Sequence, residues 1–179
     1  MTFYLDKYKY CPLCSGKLAG HGEYIECSGC GYRIFDNAKP SVNVIIEDKK
    51  KGLLLVTRKI NPFKGWLDFP GGFSKSGETL EETGIREAKE ELGVDVKLGV
   101  YIGSYALEYE YSGLVYKLVT AFFAAKADIS KIHVGDDVSK FEFIPRDKVL
   151  KRRLCYPHVN KSAVKDYFCI FPAGPAKSL

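Results

Sequence analysis

The stretch that decides the fold is 72–94, GFSKSGETLEETGIREAKEELGV. Its second part reads as a helix over 78–92, because Ile85, Ala88 and Leu92 recur at helical spacing and Gly93 follows as a stop. At about 100° per residue with Ile85 at zero, Ala88 and Leu92 fall near 300° and 340°, and Glu90, Glu87 and Glu91 near 140°, 200° and 240°. One side is apolar and the other carries three carboxylates. Like charges this close cost roughly 0.2–0.5 kcal/mol per pair, so a counter-charge is expected. Hard divalent cations, Mg²⁺ or Mn²⁺, supply one through oxygen ligands. Arg86, one position before Glu87 and four before Glu90, is spaced to pair with a glutamate and fix its rotamer.

Upstream of this stretch, Pro62, Pro70 and the Gly71-Gly72 pair make 61–77 a long structured loop, and long loops in compact domains are usually functional. Before it, 41–47 (SVNVIIE) and 53–58 (LLLVTR) read as two strands of a hairpin around the basic turn Asp48-Lys49-Lys50-Lys51-Gly52. Downstream, strands are expected over 94–98, 100–111, 114–127 and 141–144, with Ser112-Gly113 as a tight turn. A short helix starting at Asn160 or Ser162 is expected to run through Phe168.

Near the N-terminus, Cys11, Cys14, Cys27 and Cys30 form C-x2-C-x12-C-x2-C. Each C-x2-C turn points two thiolates at a common tetrahedral centre, and Gly16 and Gly31 let the backbone turn beneath the sulfurs. A segment this short buries too little apolar surface to fold alone, so a structural Zn²⁺ with all four positions filled is expected. A pair of disulfides is the competing reading. The layout resembles a zinc ribbon, a module that can bind nucleic acid, pack on a neighbour or mediate a homodimer. The aromatics Tyr24, Tyr32 and Phe35 are read as covering their own metal site rather than stacking on bases.

The 179 residues allow one catalytic domain plus a small module. With 46% hydrophobic and 27% charged residues, the chain is neither disordered nor fibrous. No apolar run approaches the roughly 18–20 residues that span a bilayer, and 1–10 lacks the apolar core of a secretory signal. A cytoplasmic protein is therefore expected, without a membrane partner. The net charge of +5 suits a phosphate-bearing ligand and is too small to argue for nucleic acid.

From Gly72 the sequence matches G-x5-E-x7-R-E-U-x-E-E-x-G-U, with U aliphatic or small, at Gly72, Glu78, Arg86, Glu87, Glu90, Glu91 and Gly93. This resembles the Nudix hydrolase signature, and Trp66-Leu67-Asp68-Phe69-Pro70-Gly71 precedes it much as the family's G-x-W-x-x-P-G-G does. The resemblance implies an α+β fold: an α/β/α sandwich with a mixed sheet over 39–179, preceded by the ribbon at 1–38. It further implies that Glu87, Glu90 and Glu91 ligate Mg²⁺ or Mn²⁺, with the Gly71 carbonyl as a further ligand. Arg86 would orient a glutamate, Glu78 would support the loop or an outer-shell water, and Gly72 and Gly93 would be conformational. Asp137 is the candidate general base, with Asp136 and Glu142 as rivals.

A ribbon ahead of such a domain resembles the NADH pyrophosphatases and a shorter group that includes FAD and ADP-ribose pyrophosphatases. The former carry S-Q-P-W-P-F-P after the box, whereas 99–106 here reads GVYIGSYA, which favours the shorter group. The implied reaction cleaves a nucleoside diphosphate linked to a second moiety, such as ADP-ribose, FAD or a dinucleotide, into two monophosphates. An oxidised nucleoside triphosphate is one alternative substrate, and a non-catalytic nucleotide-sensing regulator is the alternative outside enzymes. Arg58, Phe63 and Trp66, and less so Tyr109 or Tyr111, are candidates for touching a base or phosphate. Lys148, Lys151, Arg152 and Arg153 read as a solvated basic cluster, and Cys155 and Cys169 as ordinary buried thiols.

Overall fold

A computed structural model of the chain describes residues 2–20, 22–135 and 138–172. The chain forms two compact units, one from the N-terminal 39 residues together with 108–118, the other from the rest. The smaller unit holds β1 (Thr2–Phe3), β2 (Leu18–Ala19), β3 (Tyr24–Cys27) and β4 (Arg33–Phe35), the last three forming an antiparallel sheet. β1 pairs in parallel with 114–115. The Tyr4 ring stacks on Tyr116 at 5.1 Å, and Lys117 pairs with the buried carboxylate of Asp36.

The larger unit is a mixed-order sheet with helices on both faces. Its elements are β5 (Lys39–Asp48), β6 (Gly52–Arg58), β7 (Leu67–Asp68), β8 (Gly71–Phe73), α1 (Leu80–Leu92), β9 (Val96–Tyr111), β10 (Leu114–Ala127), β11 (Val138–Ile144), α2 (Arg146–Val149) and α3 (Pro157–Ile170). The sheet runs β10-β5-β6-β11, with β9 on β10, β8 on β5 and β7 on β6. Alternation along β5 splits its side chains between two layers. Val42, Val44 and Ile46 point to the face covered by Ala88 and Leu92 of α1, in one cluster with Leu54, Val56 and Phe123. Ile45 and Glu47 belong to the opposite face, where α3 lies: the Tyr167 hydroxyl donates to Glu47 (2.9 Å).

Three sequence expectations need correction. Ile85 is 41% exposed, and the buried stripe of α1 is Thr83, Gly84, Ala88 and Leu92. The reason is Gly84: a Cβ there would lie a tight 3.1 Å from Val42 Cγ1, so the helix makes its close approach to the sheet through this glycine and not through Ile85. That shift turns Glu91 toward the core edge and leaves Glu90 in solvent. The loop 61–77 contains the short strands β7 and β8, which exist because β6 and β5 offer free edges at 56–57 and 41–43. Cys169 is exposed, since the buried positions of α3 are Val159, Asn160, Ala163, Val164 and Tyr167 and residue 169 falls on the other side. No helix among the described residues is long and apolar enough to cross a membrane.

Candidate active site and metal centre

α1 begins at Leu80, two residues later than its apolar period suggests, because Thr79 and Glu82 form a capping box. This cap, worth about 1 kcal/mol, fixes where the helix starts and therefore which residues face the loop. At the other end Gly93 takes a left-handed conformation. The last-turn carbonyls of Glu91 and Leu92 accept from Gly135 N–H (2.8 Å) and His133 N–H (3.0 Å). The loop up to residue 135 is thus stitched to the end of the carboxylate helix. Asp136 and Asp137 lie outside the described residues, and Glu142 is paired with Arg152 (3.0 Å) on β11.

Arg86 is the hub of the site. Its Nε and Nη2 donate to the two oxygens of Glu78 (2.6 and 2.9 Å), Nη1 donates to Glu87 (2.7 Å) and Glu90 (2.9 Å), and Nη2 also donates to the Phe73 carbonyl (2.9 Å). This fork ties the loop at both 73 and 78 to the helix, and holds the Glu78 carboxyl down to about 2. Glu90 also accepts from Lys75 Nζ (3.2 Å). Burial works against its charge, but the Lys75 and Arg86 bonds outweigh it and lower its pKa. Replacing Arg86 with Met strips the cation from two partly buried glutamates. It is expected to lower stability by about 2–3 kcal/mol, read as an earlier urea midpoint at unchanged slope. A midpoint equal to wild type would show that the hub is dispensable for the fold.

Glu87 and Glu91 behave differently from Glu90. Burial raises the pKa of Glu87, against the pull of Arg86. Burial, followed by the charges of Glu87 and Asp68, pushes Glu91 up to about 8, opposed by a bond from the Gly71 N–H to Glu91 Oε2 (3.0 Å). The backbone comes this close because both positions are glycine. A Cβ on Gly72 would lie 2.4 Å from Glu87 Oε1, and one on Gly71 would lie 2.0 Å from the Val42 carbonyl oxygen. The site therefore gathers more carboxylate charge than its own cations neutralise, the electrostatic setting in which a divalent cation fits. Arg86 holds both Glu87 and Glu90, and Lys75 holds Glu90 as well.

Beneath Glu91 lies a residue that the sequence reading passed over. Asp68 is buried, and burial raises its pKa despite Arg58 Nη1 (3.4 Å), Asn160 Nδ2 (2.9 Å) and the Phe69 N–H (2.9 Å), all of which donate to it. Asn160 also donates to the Cys155 carbonyl (2.7 Å), and burial pushes the Cys155 thiol up. Arg58 is thus turned inward, onto Asp68 and the Pro62 carbonyl (2.9 Å). Phe63 packs on Trp66 (4.9 Å) and on Tyr156 (4.8 Å), and the Arg153 guanidinium sits 3.9 Å above the Trp66 ring. Phe63 (φ 64°) and Tyr156 (φ 39°) both hold left-handed backbone, strain of about 1–2 kcal/mol each that tends to mark ligand clamps. Tyr109 and Tyr111 stack on each other at 6.4 Å.

In the smaller unit the four sulfurs of Cys11, Cys14, Cys27 and Cys30 lie within 4.8 Å of one another, and among the described residues no other such group converges as closely. All are free thiols, with Cys11–Cys30 at 3.7 Å and Cys14–Cys27 at 3.5 Å. Leu13 N–H points at Cys11 Sγ and Gly29 N–H at Cys27 Sγ, each at 3.4 Å, and backbone N–H groups of Cys30 and Gly29 lower the Cys27 thiol to about 7. A set of four converging cysteine sulfurs is compatible with Zn²⁺.

The comparisons agree with this geometry. A family model described as NUDIX domain matches residues 37–165, well over half of the chain. An ADP-ribose pyrophosphatase of Methanocaldococcus jannaschii is 36% identical over 137 residues, 76% of this chain and 76% of that protein. An NAD-capped RNA hydrolase, NudC, of Pseudomonas aeruginosa is 28% identical over 106 residues, which cover 58% of this chain and only 37% of that relative. In fold, a NUDIX hydrolase from Nitrosomonas europaea superposes with a TM-score of 0.72 at 20% identity, covering 92% of each chain. The carboxylate helix, the glycine approach beneath it and the match over 37–165 lead to one conclusion: the chain belongs to the NUDIX domain family and is a Nudix hydrolase.

Proposed function

We propose that the protein hydrolyses the pyrophosphate of a nucleoside diphosphate linked to a second moiety, with ADP-ribose as the leading substrate, giving AMP and ribose 5-phosphate. The observation that carries this reading is the 36% identity to an ADP-ribose pyrophosphatase over three quarters of both chains. The aromatic group of Phe63, Trp66 and Tyr156 supports it, since it adjoins Asp68, whose charge reaches Glu91. An adenine ring on such a platform would bring its diphosphate toward α1.

In this reading Glu87, Glu90 and Glu91 hold Mg²⁺ or Mn²⁺, with the Gly71 carbonyl as a further oxygen ligand. When bound, such a cation supplies charge neutralisation on the pyrophosphate and acidifies water near it. The chain's own work is positional. Arg86 and Glu78 set the rotamers of Glu87 and Glu90, and Gly72 leaves room for Glu87 beneath the loop. Gly93 ends the helix so that the following loop returns over it. Water adds to one phosphorus as the bridging P–O bond breaks, and Asp137 is the candidate to take the water proton, from its position in the sequence alone. The cysteine unit holds a structural Zn²⁺ with no open position for water, in a protein that works in the cytoplasm.

A product-resolved screen with Mg²⁺ or Mn²⁺ over ADP-ribose, NADH, FAD, diadenosine polyphosphates and normal and oxidised nucleoside triphosphates tests the reading. AMP release from ADP-ribose at the highest kcat/KM is the expected result. Pyrophosphate released from a triphosphate with higher kcat/KM would replace it with the sanitising reaction. Tight binding without turnover of any compound would replace it with a sensing role.

A further inference from the structure

A cavity of about 1100 Å³ in the larger unit has no residue of the carboxylate helix in its lining. It lies at the far end of β5. That strand meets Gly71 at Asn43 and turns into β6 at Asp48–Gly52, about 17 Å further along at roughly 3.3 Å per residue. The turn is built to hold its shape. The Asp48 carboxylate accepts from the Lys50 and Lys51 N–H groups (2.9 and 2.8 Å), and Gly52 presses on the Ile144 carbonyl, where a Cβ would sit at 2.1 Å. Lys49, Lys50 and Lys51 are thereby set along one rim, and Lys97 of β9 and Lys126 of β10 bring two more cations to the same cavity.

The cavity has one lining carboxylate, Glu47, and it is already matched. Arg146 donates to both its oxygens (2.5 and 2.7 Å) and Tyr167 adds a third bond. Lys51 lies over the Phe143 ring at 5.4 Å, the charges of Lys50 and Lys51 also act on Asp48 behind the turn, and Lys49, Lys97 and Lys126 make no ion pair among the described residues. The walls between them are apolar or aromatic: Leu98, Val100, Ala125, Pro145, Tyr167 and Phe171. Flexible ammonium groups around an apolar wall suit a ligand with a phosphate at one end and a flat, weakly polar body at the other. We propose that this cavity is a second ligand site that takes a nucleoside phosphate and is separate from the carboxylate helix.

Calorimetric titration of the full chain with AMP in EDTA tests the site, beside inorganic phosphate and a short single-stranded RNA. Binding of AMP is expected to survive E87Q/E90Q and to weaken at least about tenfold in K97E/K126E. Inorganic phosphate is expected to bind about tenfold more weakly than AMP, for want of the apolar contact. Circular dichroism and melting check that the variants fold, and K49Q/K50Q on the turn gives an independent reading should charge reversal disturb the strands. AMP binding that follows E87Q/E90Q and ignores both lysine variants would overturn the proposal, as would no AMP binding. Phosphate binding as tight as AMP would remove the nucleoside from it. RNA binding tighter than AMP and lost in K97E/K126E would replace the pocket with a polynucleotide surface.

Discussion

Glu91→Gln is expected to lower kcat in saturating Mg²⁺ by at least about two to three orders of magnitude, while the protein folds as well as before. Gln keeps the volume of Glu and an oxygen for the Gly71 N–H, so the 3.0 Å contact beneath the loop survives. What disappears is the charge, and the surroundings already oppose that charge. Burial, Glu87 and Asp68 together raise the Glu91 pKa to about 8. A carboxyl raised in the folded state binds its proton more tightly than the unfolded chain does. Its cost to stability is absent in acid and grows as pH rises from the ordinary carboxylate range toward about 8. The variant should therefore melt no lower than wild type at pH 6 in EDTA, and higher at pH 9. Steady-state kinetics at rising Mg²⁺, with melting at the two pH values, separates the outcomes. Near-normal kcat would remove Glu91 from the ligand set, and a lower melting point at pH 9 would mean that its charge stabilises the fold.

Cys27→Ser should show the reverse pattern, with a large loss of order and a small loss of turnover. Cys27 is nearly fully buried, faces Cys14 at 3.5 Å, and has the Gly29 N–H aimed at its sulfur. Around it the smaller unit has few apolar side chains to bury, chiefly Leu5, Ile25, Val115 and Leu118. Structural Zn²⁺ sites supply on the order of 10 kcal/mol in small modules, as much as all of these side chains together. Metal content should fall to well under one Zn²⁺ per chain, and proteolysis should cleave within 8–35 at low protease. The kcat of the remaining enzyme on its best substrate should change less than about threefold, since the carboxylate helix belongs to the other unit. Full protease protection with the metal lost would show that the thiols order the unit by themselves. A collapse of kcat at intact Mg²⁺ affinity would show that the two units work as one.

Much of this was legible because the box packs many specified residues into one loop and helix. Glu78, Arg86, Glu87, Glu90 and Glu91 are close in sequence, and their contacts follow from helical spacing and one return of the loop. The Cys pairs are legible for the same reason, since each C-x2-C is a local turn. Other features depend on contacts between distant parts of the chain. Ile85 looked like core because periodicity gives the width of an apolar stripe but not its centre, and Gly84, which sets the helix against Val42, carries no hydrophobic signal. Strands of two or three residues such as β7 and β8 have no period, and only the open edges of β6 and β5 define them. Asp68 meets Asn160 across 92 positions, and Arg153 reaches Trp66 from a stretch read as a solvated cluster. The five lysines of the far cavity come from a turn and two strands, with no spacing to link them.

Two of the glycines that press on carbonyls, Gly52 on Ile144 and Gly71 on Val42, have a consequence for how this chain can change over time. The obstacle at each is a main-chain atom, present whatever residue occupies 144 or 42, so no second substitution can make room. Gly72 is different, because its neighbour is the carboxylate of Glu87, which can swing aside or be replaced. Homologous lineages can therefore exchange residue 72 together with 87 as a pair, at the expense of the chemistry, and keep the sheet. Positions 52 and 71 have no such partner. They fix the middle of β5, where β8 joins it, and its turn into β6 to one genetic solution for as long as the fold lasts, whichever substrate selection favours.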